Sequence, residues 1–199
     1  MATRGHLGGL ALAAPEAVRV LDAAGFPWVL LETVGVGQVE VEIAGAADTT
    51  VVVVNPGWGD SVQANKAGLM EIADIFVINK ADRKGAAETQ RDLEGMLDLS
   101  GFTHDAWRPP VLRTVAATGD GVLELWATIA SHREAQTANG QLVVRRAARL
   151  RAELRSTMTR IVESRVLAGG GSERFEALLA QVIARRLDPG TAAAQLLDS

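Results

Sequence analysis

The sequence predicts an α/β domain on a mostly parallel, doubly wound sheet, followed by a tail made of helices alone. Three observations carry this. Short, continuous apolar runs recur through roughly the first 130 residues, and helical stretches separate them. Beyond "AQTANG" at 135–140 only helical periodicity remains. Continuous apolar runs suit strands covered on both faces, and strand–helix–strand alternation is how parallel neighbours are joined.

Taken in order, the first helix has Pro15 near its start, Val18 and Leu21 on its apolar side, and Gly25 as a stop. The first strand candidate is WVLL at 28–31, and the second is TTVVVV at 49–54, whose valines argue most strongly for burial on both faces. Ser61 is placed to cap a helix running to about Ala73. A third strand is expected over IFVI at 75–78, a helix over 86–99, a fourth strand over VLRTV at 111–115, and a helix from Gly121 to about Arg133. In the tail, Val143, Ala147, Leu150, Leu154, Met158 and Ile161 recur at spacings of three and four, a seam for packing against another helix. "AGGGS" at 168–172 breaks that helix, Ser172 opens the next, and a last element follows Pro189.

Composition narrows the function classes. The chain has 199 residues, 48% hydrophobic and 22% charged, an ordinary balance for a globular protein. Its net charge of −4 supplies no whole-chain field toward nucleic acid or anionic lipid. Cysteine is absent, which removes disulfides, thiolate metal sites and Cys nucleophiles, and fits a reducing compartment. No apolar run is long enough to span a bilayer, and the N-terminus lacks a leader-like apolar region with a cleavage site, so a cytoplasmic protein is expected. His6, His104 and His132 lie far apart without ligand spacing, and no zinc site is expected. Seven arginines against two glutamates over 141–165 are read as a solvated or subunit-facing side, because aromatic stacking residues are missing.

In open α/β sheets ligands bind beyond the carboxyl ends of the strands. Three polar or Gly-rich stretches follow successive strand candidates: "ETVGVGQ", "NPGWGD" and "NKAD". In "NKAD", a carboxylate at Asp82 can accept from the adjacent N1–H and N2 amino donors of guanine, a pair that adenine lacks. Asn79 can tie neighbouring loops together, and the Lys80 stem can lie over the base. The plainer alternative is a polar turn with Asp82 as a helix cap. In "LLETVGVGQ", Glu32 can orient a Mg²⁺-bound water, Gly35 lets a backbone N–H approach a terminal phosphate, and Gln38 can position water. A Gly-rich turn with a solvated glutamate is the competing view. In "RTVAATGDGV", Ala116 and Ala117 are small enough for backbone N–H groups to reach a guanine carbonyl, though alone this is only a strand–helix turn.

"RGHLGG", "AAGFPWVLLETVGVGQVEVE", "PGWGDSVQANKAGLMEIADIFVINKADRKGA" and "ATGDGVLELW" together resemble the MeaB/ArgK family. These are GTPases associated with methylmalonyl-CoA mutase, within a wider group of metallochaperone-type P-loop GTPases. The resemblance covers residues 4–133, and the helical tail is similar to the family's dimerisation arm. It implies a P-loop NTPase-type sheet missing its first βαβ portion, with a partial GTPase domain over 1–136 and a helical dimerisation tail over 141–199. It further implies GTP/GDP and Mg²⁺ as ligands and hydrolysis of GTP to GDP and phosphate. The implied partner is methylmalonyl-CoA mutase or a related cobalamin-dependent mutase that the protein protects or reloads, and the implied assembly is a homodimer through the C-terminal helices. By the same carry-over Asn79, Lys80 and Asp82 recognise the base, and Ala116, with Ala117, belongs to the last guanine-contacting loop. Glu32 to Gly35 form the metal and γ-phosphate motif, with Glu32 as metal ligand and Glu32 and Gly35 as catalytic candidates; Gln38, a catalytic candidate from the residue reading alone, sits three residues past Gly35 and not adjacent to it as in small signalling GTPases. The loop at 57–60 and Gln63 lie in a family-typical segment whose role does not follow from chemistry.

The chain departs from the family at two places. No stretch reads G-x-x-x-x-G-K-[ST], and none of the three lysines, Lys66, Lys80 and Lys84, follows a glycine. Where the family's last loop reads Ser-Ala, this chain has Val115–Ala116. Three readings compete for the missing phosphate loop: the C-terminal part of a longer GTPase, a short non-catalytic dimerising module, or an ATP-dependent kinase or transport-associated ATPase. Asp82 argues against adenine, and the first is favoured because losing a central strand exposes an apolar sheet edge. On that reading the 199-residue chain alone hydrolyses little or no GTP.

Overall fold

Four residues, Ile75 to Ile78, are each at most 2% exposed although successive side chains point to opposite faces of a strand. They begin β2 (Ile75–Asn79), among the described residues the middle of three strands, with β1 (Val51–Val54) and β3 (Val111–Thr114) flanking it in parallel. The structure, a computed structural model, describes residues 14–32, 45–57, 63–101, 106–168 and 171–197. Val52 pairs with Phe76, and Phe76 with Val111. Parallel neighbours need crossovers, which α2 (Gln63–Ile72) and α3 (Ala86–Leu99) supply. α1 (Ala14–Ala23) precedes the sheet and α4 (Val122–Ala138) follows it. The core packs Phe76, Ile78 and Val54 against Leu93 and Leu97 of α3, with Val52, Met70 and Met96 at its margin.

The expected alternation is present, with two corrections. Residues 28–31 are not a strand: 28–32 have no regular secondary structure, and Leu30 is 82% exposed. A parallel strand exists only through its ladder, and among the described residues the ladders join β1, β2 and β3 alone. Trp28 packs instead on α4, its ring centroid 4.8 Å from that of Trp126 and the Arg133 guanidinium 4.8 Å above it. Nor is β1 covered on both faces, for Val53 is 60% exposed. Among the described residues it lies at one edge of the sheet, and only Val54 of its four residues is buried. Ser61, the expected cap of α2, lies outside the described residues.

The chain divides into two compact units, Met1–Arg146 and Ala147–Ser199. The second holds most of α5 (Gln141–Leu167), with α6 (Gly171–Ile183) and α7 (Pro189–Leu197). α6 and α7 pack together and bury Leu178 and Ala192. The Asp188 carboxylate accepts the Thr191 N–H at 3.0 Å, capping α7 just ahead of Pro189. None of the residues of α5 is buried, and its seam residues Val143, Leu150, Leu154 and Met158 are each at least 59% exposed. Among the described residues no helix is long and apolar enough to cross a membrane.

Candidate nucleotide site

β2 and β3 end side by side, since Asn79 is in register with Thr114. This brings "NKAD" beside "VAAT". The Asn79 side-chain carbonyl accepts the Ala116 N–H at 3.2 Å and the Thr114 hydroxyl at 3.3 Å. The Ala81 N–H donates back to the Thr114 carbonyl at 3.0 Å. Two loops are thereby stitched through one amide. Lys80 takes a left-handed backbone, φ 57°, which costs a non-glycine residue of order 1–3 kcal/mol and is retained where surroundings dictate it. The turn closes when Arg83 donates its N–H to the Lys80 carbonyl at 3.0 Å. Lys80 and Asp82 are exposed, so ammonium and carboxylate face solvent beyond the strand ends.

The loop after β3 is held by its own bonds. Val115 donates its N–H to the Asp120 carbonyl at 2.9 Å, and the Thr118 hydroxyl lies 2.8 Å from the Asp120 carboxylate. Gly121, at φ 73°, starts α4 where a Cβ would stand 2.1 Å from the Arg113 carbonyl oxygen, so no other residue fits. β1's end joins the same region: Gly57 donates its N–H to the buried Thr89 hydroxyl of α3 at 3.1 Å. A Cβ on Gly85, which precedes α3, would meet the Gly57 nitrogen at 3.6 Å.

The structure thus gathers Asn79, Lys80, Asp82, Ala116 and Ala117 at one end of the sheet, with Gly57 alongside. Glu32 is exposed in an irregular segment. Gly35, Gln38 and residues 58–60 lie outside the described residues, as does the side chain of Gln63. Reading by motif passed over Thr114 and Thr89. Thr114 could have been found as the last polar residue of a strand beside a small-residue loop, whereas nothing local marks Thr89.

At the opposite end of the sheet, Asp74 is 6% exposed and paired with Arg145 of α5. Burial pushes its carboxyl up, but hydrogen bonds from His132, Arg145 and the Thr50 N–H outweigh burial and hold it below the usual carboxylate range. Arg146 pairs with Asp48, and that bond raises the guanidinium above its ordinary value. The first two arginines of the Arg-rich helix therefore engage carboxylates of the α/β unit, a correction to the view of that helix as one solvated or subunit-facing side. His132 is fully buried in this cluster. Among the described residues, no group of three or more His, Asp or Glu side chains is placed to hold a metal ion.

The sequence profile of "Methylmalonyl Co-A mutase-associated GTPase MeaB" matches residues 1–170. A protein of Pyrococcus abyssi classed with the GTPases is 48% identical over 199 residues, covering 99% of this chain and 61% of its own length. The GTPase ArgK of Escherichia coli is 40% identical over 141 residues, 69% of this chain and 43% of its own. Among solved structures, one described as a LAO/AO transport system kinase superposes with a TM-score of 0.68 at 31% identity, covering 93% of this chain and 61% of that one. The chain accordingly spans about three fifths of the length of its first curated relatives. On the profile match and the identity to these relatives, the chain belongs to the MeaB family of methylmalonyl-CoA mutase-associated GTPases.

Proposed function

We propose that residues 1–136 are part of a GTPase domain whose described strand ends bind the guanine base. In this reading the complete protein hydrolyses GTP to GDP and phosphate in the service of methylmalonyl-CoA mutase or a related cobalamin-dependent mutase, as a cytoplasmic homodimer joined through 141–199. The observation that carries it is the Asn79 amide, which knits "NKAD" to Ala116 while leaving the Asp82 carboxylate exposed. Asp82 accepts from guanine N1–H and N2, the Lys80 stem covers the ring, and backbone N–H groups at Ala116–Ala117 face the base carbonyl. Glu32 offers Mg²⁺ a single carboxylate, which suits an ion that keeps waters and takes other oxygens from a triphosphate. Gly35 and Gln38 are assigned to the γ-phosphate and the attacking water.

The test is a titration of the ¹⁵N-labelled chain with GDP and, separately, ADP. Amide shifts at 81–83 and 116–118 with GDP alone are expected. Equal responses to both nucleotides, or none at these loops, remove the guanine reading. Without a phosphate loop, this chain turns over little or no GTP, and measurable Mg²⁺-dependent hydrolysis by the purified chain contradicts that. Mutase association is tested separately: affinity for the mutase changes with nucleotide state in a GTPase and is indifferent to it in a bare binding module.

A further inference from the structure

Where the strands begin, far from the nucleotide loops, the Asp74 carboxylate gathers three kinds of donor. The Thr50 N–H reaches Oδ2 at 2.9 Å. The Arg145 guanidinium forks onto both oxygens, Nη1 to Oδ2 at 3.1 Å and Nη2 to Oδ1 at 2.9 Å. His132 of α4 brings Nε2 to 3.4 Å from Oδ1. That ring is fully buried, with Nδ1 2.8 Å from the Thr49 hydroxyl and Trp107 edge-on at 4.8 Å. Trp107 also donates its indole N–H to the Asp74 carbonyl at 2.8 Å. Gln136, one turn beyond His132, sets its amide nitrogen 3.1 Å from Nε2 and leaves its buried Oε1 without a partner.

This pocket fits the ring in either protonation state. A hydroxyl at Nδ1 donates to the neutral ring or accepts from the charged one. On the other side, the Asp74 carboxylate accepts an Nε2–H in both states. A half-turn of the Gln136 amide, which places Oε1 toward Nε2, satisfies that orphan oxygen as well. The charged groups placed against the ring's pocket are Asp74 and Arg145, with the Asp48–Arg146 pair flanking them; Thr49, Gln136 and Trp107 are neutral.

We propose that Arg145 and His132 are alternative counterions for Asp74, so that seating the first turns of α5 on the α/β unit is linked to one proton. With the guanidinium in place, the buried carboxylate is already neutralised. When it leaves, an unpaired buried carboxylate is costly, and the nearest group able to replace the charge is His132, which takes a proton from solvent. Acid therefore loosens the hold on α5, and alkali tightens it.

The test compares urea midpoints of Arg145→Gln with the unsubstituted chain at about pH 8 and about pH 5.5. An imidazolium gaining Asp74 adds stability that is present at acid pH and lost as pH rises. The deficit of Arg145→Gln should therefore shrink by about half or more on the acid side. The recovery should vanish in Arg145→Gln/His132→Asn. His6 and His104 are common to all variants and cancel in the differences. A deficit equal at both pH values, or a recovery that survives loss of the imidazole, overturns the proposal. If Arg145→Gln does not fold, Arg145→Lys replaces it. An ammonium cannot fork across both oxygens, so the same recovery is expected in smaller measure, and a pH-independent deficit overturns the idea equally.

Discussion

At the scale of single residues, selectivity in the proposed site rests on Asp82 and order rests on Asn79. Replacing Asp82 by Asn keeps the size and removes the paired acceptors. Charge-assisted bonds are worth about 1.5–3 kcal/mol, so GDP affinity of the complete protein should fall about 10- to 100-fold while xanthosine diphosphate gains. Competition binding of the two nucleotides reads this directly, and an unchanged preference for guanine would remove Asp82 from base recognition. Asn79 acts differently, through Thr114 and Ala116. Both residues stood out in the sequence because a charged motif directly follows an uninterrupted apolar run. Thr114 did not, since its importance comes from a register 35 residues away from Asn79.

At the scale of elements, β2 was readable because both its faces are covered, and a strand of that kind has no polar alternation to confuse it. The segment 28–31 is similarly apolar yet irregular, since composition gives a strand's taste for burial but not its partner. The cluster at the start of β2 was invisible for another reason: Arg145 stands 71 residues from Asp74, and neither carries a local signature. It sets a pH prediction. Asp74 is held below its ordinary value, so its contribution is fully present above the unfolded carboxyl range near about pH 4 and is lost as pH falls through the lower folded value. Asp74→Asn should be destabilised at neutral pH by about 3–5 kcal/mol, the scale for breaking a buried pair, with its gap to the unsubstituted chain closing in acid. Denaturation series from about pH 7 to pH 3 measure it, and a gap that persists in acid would show that Asp74 acts by shape alone.

At the scale of the whole molecule, the proposed dimer arm has a legible seam and a less obvious period. Val143, Ala147 and Leu150 are repeated eleven residues later by Leu154, Met158 and Ile161. An eleven-residue repeat winds a helix pair slightly right-handed, unlike a heptad. Glutamates at both Leu154 and Met158 should convert a dimer into monomers in analytical ultracentrifugation. A chain that is already monomeric, or a double variant that stays dimeric, would exclude this seam as the subunit contact.

The parallel register described for the sheet also fixes an order of events during synthesis. Phe76 meets Val52 from upstream, but its other neighbour, Val111, is made 35 residues later. At about 5–20 residues per second the ribosome leaves the most deeply buried strand half-paired for some seconds. Nascent chains stalled before and after residue 114 should differ sharply in protease resistance and in their capture by holding chaperones.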